Sequence, residues 1–295
     1  MLSKFTAMLA FLALACREPN RVPTASSGPP RAPVPASAAA PAAASADPGS
    51  SGRPSRTAVA GSSPGAPALL DTEERAPQPA PAAPARSAGA APVLLVIGDS
   101  LSDPRVGGGR YLQAVLDRCP GTRIENLARG GFMVNQMRRR FDAEALPRLG
   151  SGYTDLIVFG GVNDLYSDET AGRSVEKIQR DLAALYAAGR AQGLRVIAFT
   201  VAPWGGFSRY YTPRRAKTTS ELNAWIHAQR AAGSVDVVID AFALLSCGDA
   251  ERLCPEYAAP FKDGLHFGPR GHARLGEDLI REAFADCRAA RPADG

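Results

Sequence analysis

Beyond residue 92 the hydrophobic positions fall into alternating short runs and helical stripes. Val93-Leu94-Leu95-Val96-Ile97 is an unbroken aliphatic run, the pattern of a strand buried on both faces. Thr122–Leu127, Asp155–Phe159, Arg195–Val201 and Val235–Asp240 read as four further strands. Between them the spacing becomes helical. Leu112, Val115, Leu116 and Cys119 share one face, as do Val175, Ile178, Leu182, Leu185 and Tyr186. Thr218-Thr219-Ser220-Glu221 has the spacing of a capping box ahead of a Leu222–Gln229 helix. Gly268-Pro269 opens a last helix with Leu279, Ile280, Ala283 and Cys287 on its inner side. Strands alternating with helices predict a parallel sheet covered on both faces. Right-handed crossovers narrow this α/β pattern to a doubly wound three-layer sandwich.

The chain before residue 92 is different. A single Lys4 precedes an apolar run from Phe5 to Ala15, which is too short to cross a bilayer and reads as a secretion signal. It ends Ala13-Leu14-Ala15-Cys16. That ending resembles a bacterial lipobox, in which Cys16 would be lipidated and become the mature N-terminus. Cleavage of an ordinary signal peptide is the alternative. From Arg17 to Pro92 there are 16 of the 25 prolines and no Phe, Trp or Tyr. Such a segment cannot offset the entropy of ordering and is expected to be a disordered, semi-extended tether, with a reach on the order of 50 Å. The expected organisation is therefore a leader over 1–16, a Pro/Ala-rich linker over 17–91, a folded domain over 92–290 and a tail over 291–295.

Candidate chemistry sits where the strands end. Gly98-Asp99-Ser100-Leu101 follows the first strand, at the carboxyl edge where open α/β sheets place their sites. Three more blocks follow in order: Asn126-Leu127-Ala128-Arg129-Gly130-Gly131, Gly160-Gly161-Val162-Asn163-Asp164 and Asp263-Gly264-Leu265-His266. Together these four resemble the blocks of the GDSL, or SGNH, hydrolases, over roughly the last two-thirds of the chain. The resemblance implies the flavodoxin-like order of a five-stranded sheet. It also implies that Ser100 is the nucleophile, His266 its base and Asp263 the carboxylate that orients the base. By the same resemblance an oxyanion hole is formed by the backbone N–H groups of Ser100 and Gly131 and the side-chain amide of Asn163. Gly130 stands next to Gly131, which makes that glycine the least secure of the assignments.

The chemistry agrees with this. A serine hydroxyl needs a base to take its proton, and histidine is the usual one near neutrality. The chain has three histidines. His272 reads as helix packing or capping and His227 as a partly exposed helix residue. Asn126 is expected to tie the block loops together, and Asp99 and Asp164 to stabilise turns. Gly107-Gly108-Gly109 is either bare backbone beside the site or a flexible loop.

Substrate identity is less legible. The segment from Trp204 to Pro213 is rich in aromatics in a chain with only 7% of them. Trp204, Tyr210 and Tyr211 could face an acyl chain or a sugar, or pack together as a satellite core. Arg138-Arg139-Arg140 and Arg214-Arg215 with Lys217 are basic runs, usually solvated faces. A net charge of +5 suits anionic surfaces, and no nucleic-acid motif accompanies it. No metal-ligand spacing or phosphate-cradling loop is present in the sequence, so no cofactor is expected. The expected partner is an acyl ester or acylated carbohydrate, handled by a monomer outside the cytoplasm that is anchored through Cys16 or secreted. Acyl transfer, thioesterase or short-chain lipase activity are variants of that reading. A non-catalytic carbohydrate- or wall-binding module is the other class. Four cysteines besides Cys16 fit two bridges outside the cytosol. In the doubly wound order the first and last helices share a face, and the polar loop between Cys247 and Cys254 is short enough to close on itself, so the expected pairs are Cys119–Cys287 and Cys247–Cys254; four free buried thiols are the alternative.

Overall fold

The structure, a computed structural model, describes residues 90–287. The expected leader, Cys16, the Pro/Ala-rich segment up to residue 89 and the tail lie outside the described residues. Within them the chain runs β1 (Val93–Gly98), α1 (Gln113–Arg118), β2 (Arg123–Asn126), α2 (Val134–Arg140), β3 (Asp155–Phe159), α3 (Val162–Tyr166) and α4 (Val175–Ala191). It continues through β4 (Arg195–Phe199), α5 (Pro213–Ala231), β5 (Val237–Ile239), α6 (Ala241–Leu245), β6 (Ser246–Cys247), β7 (Asp249–Leu253), α7 (Pro255–Ala258) and α8 (Pro269–Ala283). The central sheet is five-stranded, in the order β2-β1-β3-β4-β5, and every pairing in it is parallel.

Period-two alternation decides which helix covers which face. Leu95 and Ile97 of β1, Leu156 and Val158 of β3 and Val196 and Ala198 of β4 pack with Met137 of α2, Leu182 of α4 and Leu222 and Ile226 of α5. Leu94 and Val96, Ile157 and Phe159, and Ile197 and Phe199 point the other way, toward Val115 of α1 and Leu275 and Leu279 of α8. Burying each such aliphatic side chain stabilises the fold by about 1.5–3 kcal/mol relative to exposure. Both faces are covered, so the three-layer sandwich expected from the pattern is observed.

Several local expectations are corrected. Thr218–Glu221 does not cap a helix: α5 begins at Pro213, with the Thr212 hydroxyl accepting from the Arg215 N–H. Thr218 and Thr219 lie inside it and donate to the Arg215 carbonyl. A proline at the first helical position and a threonine before it outcompete the later motif, because α5 can extend back over a polar turn. Leu116 is 41% exposed, since α1 is too short for its whole stripe to meet the sheet. Cys287 lies beyond the end of α8 rather than on its face, and is still buried. The polar stretch between Cys247 and Cys254 is not a plain loop. It folds back as the antiparallel β6-β7 ribbon.

Both expected disulfides are present. Cys119 and Cys287, with Cα atoms 5.1 Å apart, join the end of α1 to the end of the domain. Cys247 and Cys254, with Cα atoms 5.2 Å apart, close the ribbon. The first bridge spans 168 residues, so the chain-entropy estimate of its contribution is about 4–5 kcal/mol. Replacing Cys119 and Cys287 together by serine is expected to lower unfolding free energy by several kcal/mol. Urea unfolding of the variant and the parent, with and without reductant, checks this: only the parent should lose stability on reduction of that bridge.

Candidate active site

Each site residue stands at the carboxyl edge of the sheet on a turn that another loop pins. Ser100 follows β1 in a tight turn. The Asp99 carboxylate accepts from the Leu101 N–H at 3.0 Å, and the Ser102 N–H reaches back to the Asp99 carbonyl at 3.1 Å. Gly108 packs against the same turn, where an added Cβ would run into the Ser100 carbonyl. The Gly109 N–H bonds the Leu101 carbonyl at 2.9 Å. The three-glycine stretch is therefore bare backbone supporting the Ser100 turn, as close approach requires.

Asn126 bridges two of the blocks as expected. Its amide donates to the Ser102 carbonyl at 2.8 Å, and its oxygen accepts from the Ala128 N–H at 2.9 Å. Asp103, unnoticed in the sequence, adds a second bridge. It accepts from the Gly130 N–H at 2.8 Å and is gripped by Arg105, which also donates to the Ala128 carbonyl. Burial pushes the Asp103 carboxyl up, but Arg105 and the backbone donors outweigh that and hold it below its ordinary value.

His266 and Asp263 sit on one short turn before α8. His266 Nε2 lies 2.8 Å from Ser100 Oγ, and Nδ1 lies 2.7 Å from Asp263 Oδ2. Asp263 Oδ1 accepts from the N–H groups of Leu265 and His266, both at 2.9 Å. Burial raises the Asp263 carboxyl, yet these hydrogen bonds prevail and keep it below the usual carboxylate range. The carboxylate therefore stays ionised and holds the proton on Nδ1, which leaves Nε2 as the acceptor facing serine. Two glycines let this turn sit where it does. Gly264 has φ +73° and its backbone lies directly on Gly206, so a Cβ at either would strike the other. The Phe261 ring lies beside the imidazole, with centroids 5.8 Å apart.

Asn163 is buried on α3, and its Nδ2 donates to the Phe132 carbonyl at 2.9 Å. One N–H of that amide remains uncommitted. Among the described residues the Ser100 and Gly131 N–H groups have no hydrogen-bond acceptor, whereas Gly130's is taken by Asp103. Gly130 itself is close to the nucleophile, since a Cβ on it would lie 3.8 Å from Ser100 Cβ. The next residue, Asp164, is fully buried. It accepts from the Val134 N–H at 2.8 Å and pairs with Arg173 at 2.7 Å, and Arg173 also pairs with Asp181 at 2.7 Å. Burial pushes the Asp164 carboxyl up, with Val134 and Arg173 offsetting part of the rise. This network locks α3, and with it Asn163, to α2 and α4.

Of the three aromatics expected to meet substrate, only Trp204 is withdrawn from solvent, while Tyr210 and Tyr211 are half-buried. Trp204 is completely buried, and its indole N–H is spent on Thr219 at 3.0 Å. Tyr211 packs edge-on against it at 4.7 Å, and Tyr210 stacks at a tilt on Phe207 at 4.7 Å. They form the satellite core that was the alternative. His272 is buried between Phe267 and Tyr111, and desolvation, aided by the nearby Arg110 charge, lowers its pKa to about 4. His227 is half-exposed and meets Asp240 at 3.1 Å. Arg214 and Arg215 are held by Asp168. The described residues contain no cluster of His, Cys, Asp and Glu arranged to hold a metal ion.

The family model for GDSL-like lipases and acylhydrolases matches residues 96–274. No curated protein matches the chain. Among solved structures, a GDSL-like lipase from Bacteroides thetaiotaomicron aligns with TM-score 0.53 and 18% identity, covering 64% of this chain and 86% of that one. A lipase/acylhydrolase from Enterococcus faecalis aligns with TM-score 0.53 and 18% identity, over 68% of this chain and all 100% of that one. An acetylxylan esterase from Geobacillus stearothermophilus aligns with TM-score 0.53 and 16% identity, over 68% and 97%. These likenesses show a shared fold.

Asp99 yields a prediction about pH. It is completely buried and one of its oxygens has no partner. Burial raises its pKa to about 7, the Leu101 N–H pulls it back a little, and Asp164 pushes it up. A folded-state value above the unfolded one means that Asp99 stabilises the fold fully at low pH. That contribution is lost as pH rises from about 4 through about 7. The Asp99→Asn variant is expected to lack this component, which should be on the order of a few kcal/mol. Urea unfolding between pH 4 and 8 checks this: the stability difference between variant and parent should shift in favour of the variant as pH rises.

Proposed function

Because the chain belongs to the GDSL-like lipase/acylhydrolase family and is a hydrolase, we propose that it cleaves small acyl esters through Ser100, His266 and Asp263. The observation that carries this reading is the unbroken hydrogen-bonded line from Ser100 Oγ through the imidazole to Asp263, at 2.8 and 2.7 Å. As Ser100 Oγ attacks the ester carbonyl, its proton passes to His266 Nε2, and Asp263 stabilises the imidazolium that forms. The carbonyl oxygen becomes an oxyanion. It is met by the free N–H groups of Ser100 and Gly131 and the uncommitted N–H of Asn163, donors fixed before the charge develops. Gly131 is preferred to Gly130 because the Gly130 N–H is already bound by Asp103. The C–O bond to the alcohol then breaks, and the alcohol leaves with the proton from Nε2. Water attacks the acyl-serine while His266 takes its proton, and collapse of the second tetrahedral adduct releases the carboxylic acid and restores Ser100.

A short acyl group suits the surroundings. Val106 and Phe261 are exposed apolar side chains on the Gly130 and His266 sides of the nucleophile. The cavity behind Phe261, lined also by Gly107 and His272, holds about 90 Å³. The substrate proposed is a small acyl ester such as an O-acetyl group on a polysaccharide. The acetylxylan esterase among the structural neighbours is consistent with it. The two disulfides favour a site of action outside the cytoplasm, with Cys16 as the point of lipid attachment.

Ser100→Ala and His266→Ala are each expected to abolish turnover of a small acetyl ester while the domain stays folded, and the double variant should lose no more than either alone. Asn163→Ala should reduce kcat by about 10²–10³. Steady-state kinetics with circular dichroism as the folding control tests both, and wild-type turnover in Ser100→Ala would reject the nucleophile. For the anchor, the parent should sediment with membranes and enter detergent, whereas Cys16→Ser should not. An unlipidated mature N-terminus by mass spectrometry would leave plain secretion.

A further inference from the structure

We propose that the ester taken by this site lies on an anionic glycan, and that Arg129 and Arg139 select it. This rests on the esterase reading above and extends it to the alcohol half of the substrate. A cleft of about 500 Å³ opens beside the oxyanion strand, lined by Arg129, Phe132, Gln136, Arg139, Arg140 and Glu144. Arg129 and Phe132 directly flank the Gly130-Gly131 pair. The cleft therefore starts within about two residue lengths of the glycine that approaches Ser100. The Arg129 N–H is bonded to the Gly98 carbonyl at 2.9 Å, and the Phe132 carbonyl accepts from Asn163. Both walls are thus anchored to the catalytic turns.

The charge in this cleft is unbalanced. Many arginines of the domain are claimed by carboxylates, among them Arg105, Arg173, Arg195 and Arg215. In the basic run on α2, Arg138 turns to Asp181 and Arg140 to Glu144. Among the described residues Arg129 and Arg139 have no carboxylate partner, and both are exposed. Glu144, the one acid lining the cleft, is spent on Arg140 at 3.0 Å. Two guanidinium forks remain free beside an open cleft, and such forks match carboxylate and phosphate oxygens. The other lining groups suit a sugar. The Phe132 ring offers an apolar face. Gln136 uses its carbonyl on the Met133 N–H at 2.9 Å, which leaves its amide N–H groups to donate. The chemistry recognised is an anionic oxygen group on a glycan within a residue or two of the acyl ester.

The test uses the full chain with three acetylated oligosaccharides, one neutral, one bearing carboxylates and one bearing phosphates. The parent should show a higher kcat/KM on at least one acidic substrate than on the neutral one, and added salt should erode the difference. Arg129→Gln and Arg139→Gln should each lower the acidic-to-neutral ratio by about fivefold, mainly through KM. Arg118→Gln, an exposed arginine on α1, should leave the ratio alone. A drop confined to the carboxylate or the phosphate arm identifies which anion is read, and either supports the inference. An unchanged ratio in both cleft variants, or no acidic preference in the parent, overturns it. Ser100→Ala measured on the neutral substrate separates the two ideas. Lost turnover there with an unchanged ratio rejects the anionic glycan and keeps the esterase, whereas surviving turnover rejects both.

Discussion

Four loops meet at one edge of the sheet, and their backbone groups must either be satisfied or be left free for substrate. Aspartates do the sorting. Asp99 closes the nucleophile turn, Asp103 takes the Gly130 N–H, Asp164 takes the Val134 N–H, and Asp263 takes those of Leu265 and His266. What remains unclaimed among these turns is the pair of N–H groups of Ser100 and Gly131, the donors proposed for the oxyanion. Gly131 is exposed and Ser100 half-buried, so their N–H groups can stay open to water or a ligand at little cost. A pattern in which their neighbours are paired and these are not singles out where the fold has kept binding capacity in reserve.

The same residue type is tuned in opposite directions by its surroundings. Asp263 gathers three donors and stays ionised, as a carboxylate that orients an imidazole must. Asp99 has one donor, complete burial and a like charge nearby, and its pKa climbs to about 7. The first is suited to chemistry and the second to holding a turn. Arg173 separates Asp164 from that fate in part, and the resulting chain of charges reaches from α3 to α4. Replacing Arg173 would leave the buried Asp164 without its cation, whereas Asp181 would keep Arg138, so Arg173 ties the five-residue α3 that carries Asn163 to its neighbours.

Rigidity reaches the catalytic turn through glycine and sulfur. The aromatic segment after β4 forms its own small core, and its Gly205-Gly206 pair lies against the β6-β7 ribbon on one side and Gly264 on the other. The Cys247–Cys254 bridge closes that ribbon. The loop after β4 therefore supports, through Gly206, the loop that holds His266.

Local pattern determined much of this protein. Four hydrophobic runs and the more polar Thr122–Leu127 segment became five strands; the bounds of β3 were as expected and those of the others differ by a residue or two, because pairing with neighbours, absent from the sequence, sets where a strand stops. The blocks around Ser100, Asn126, Asn163 and His266 were legible because each is a short contiguous motif at the carboxyl edge of the sheet, and the four stand in the order of the family they resemble. The cysteine pairing followed once the order of elements was fixed. Tertiary structure alone decided the rest. Trp204 is buried because α5 starts nine residues later with Thr219 placed to take its N–H. Gly131 rather than Gly130 has the free N–H because Asp103, 27 residues away, claims the other. Arg129 and Arg139 stand unpaired while their neighbours do not. Each depends on which partner arrives through space, and periodicity carries no record of that.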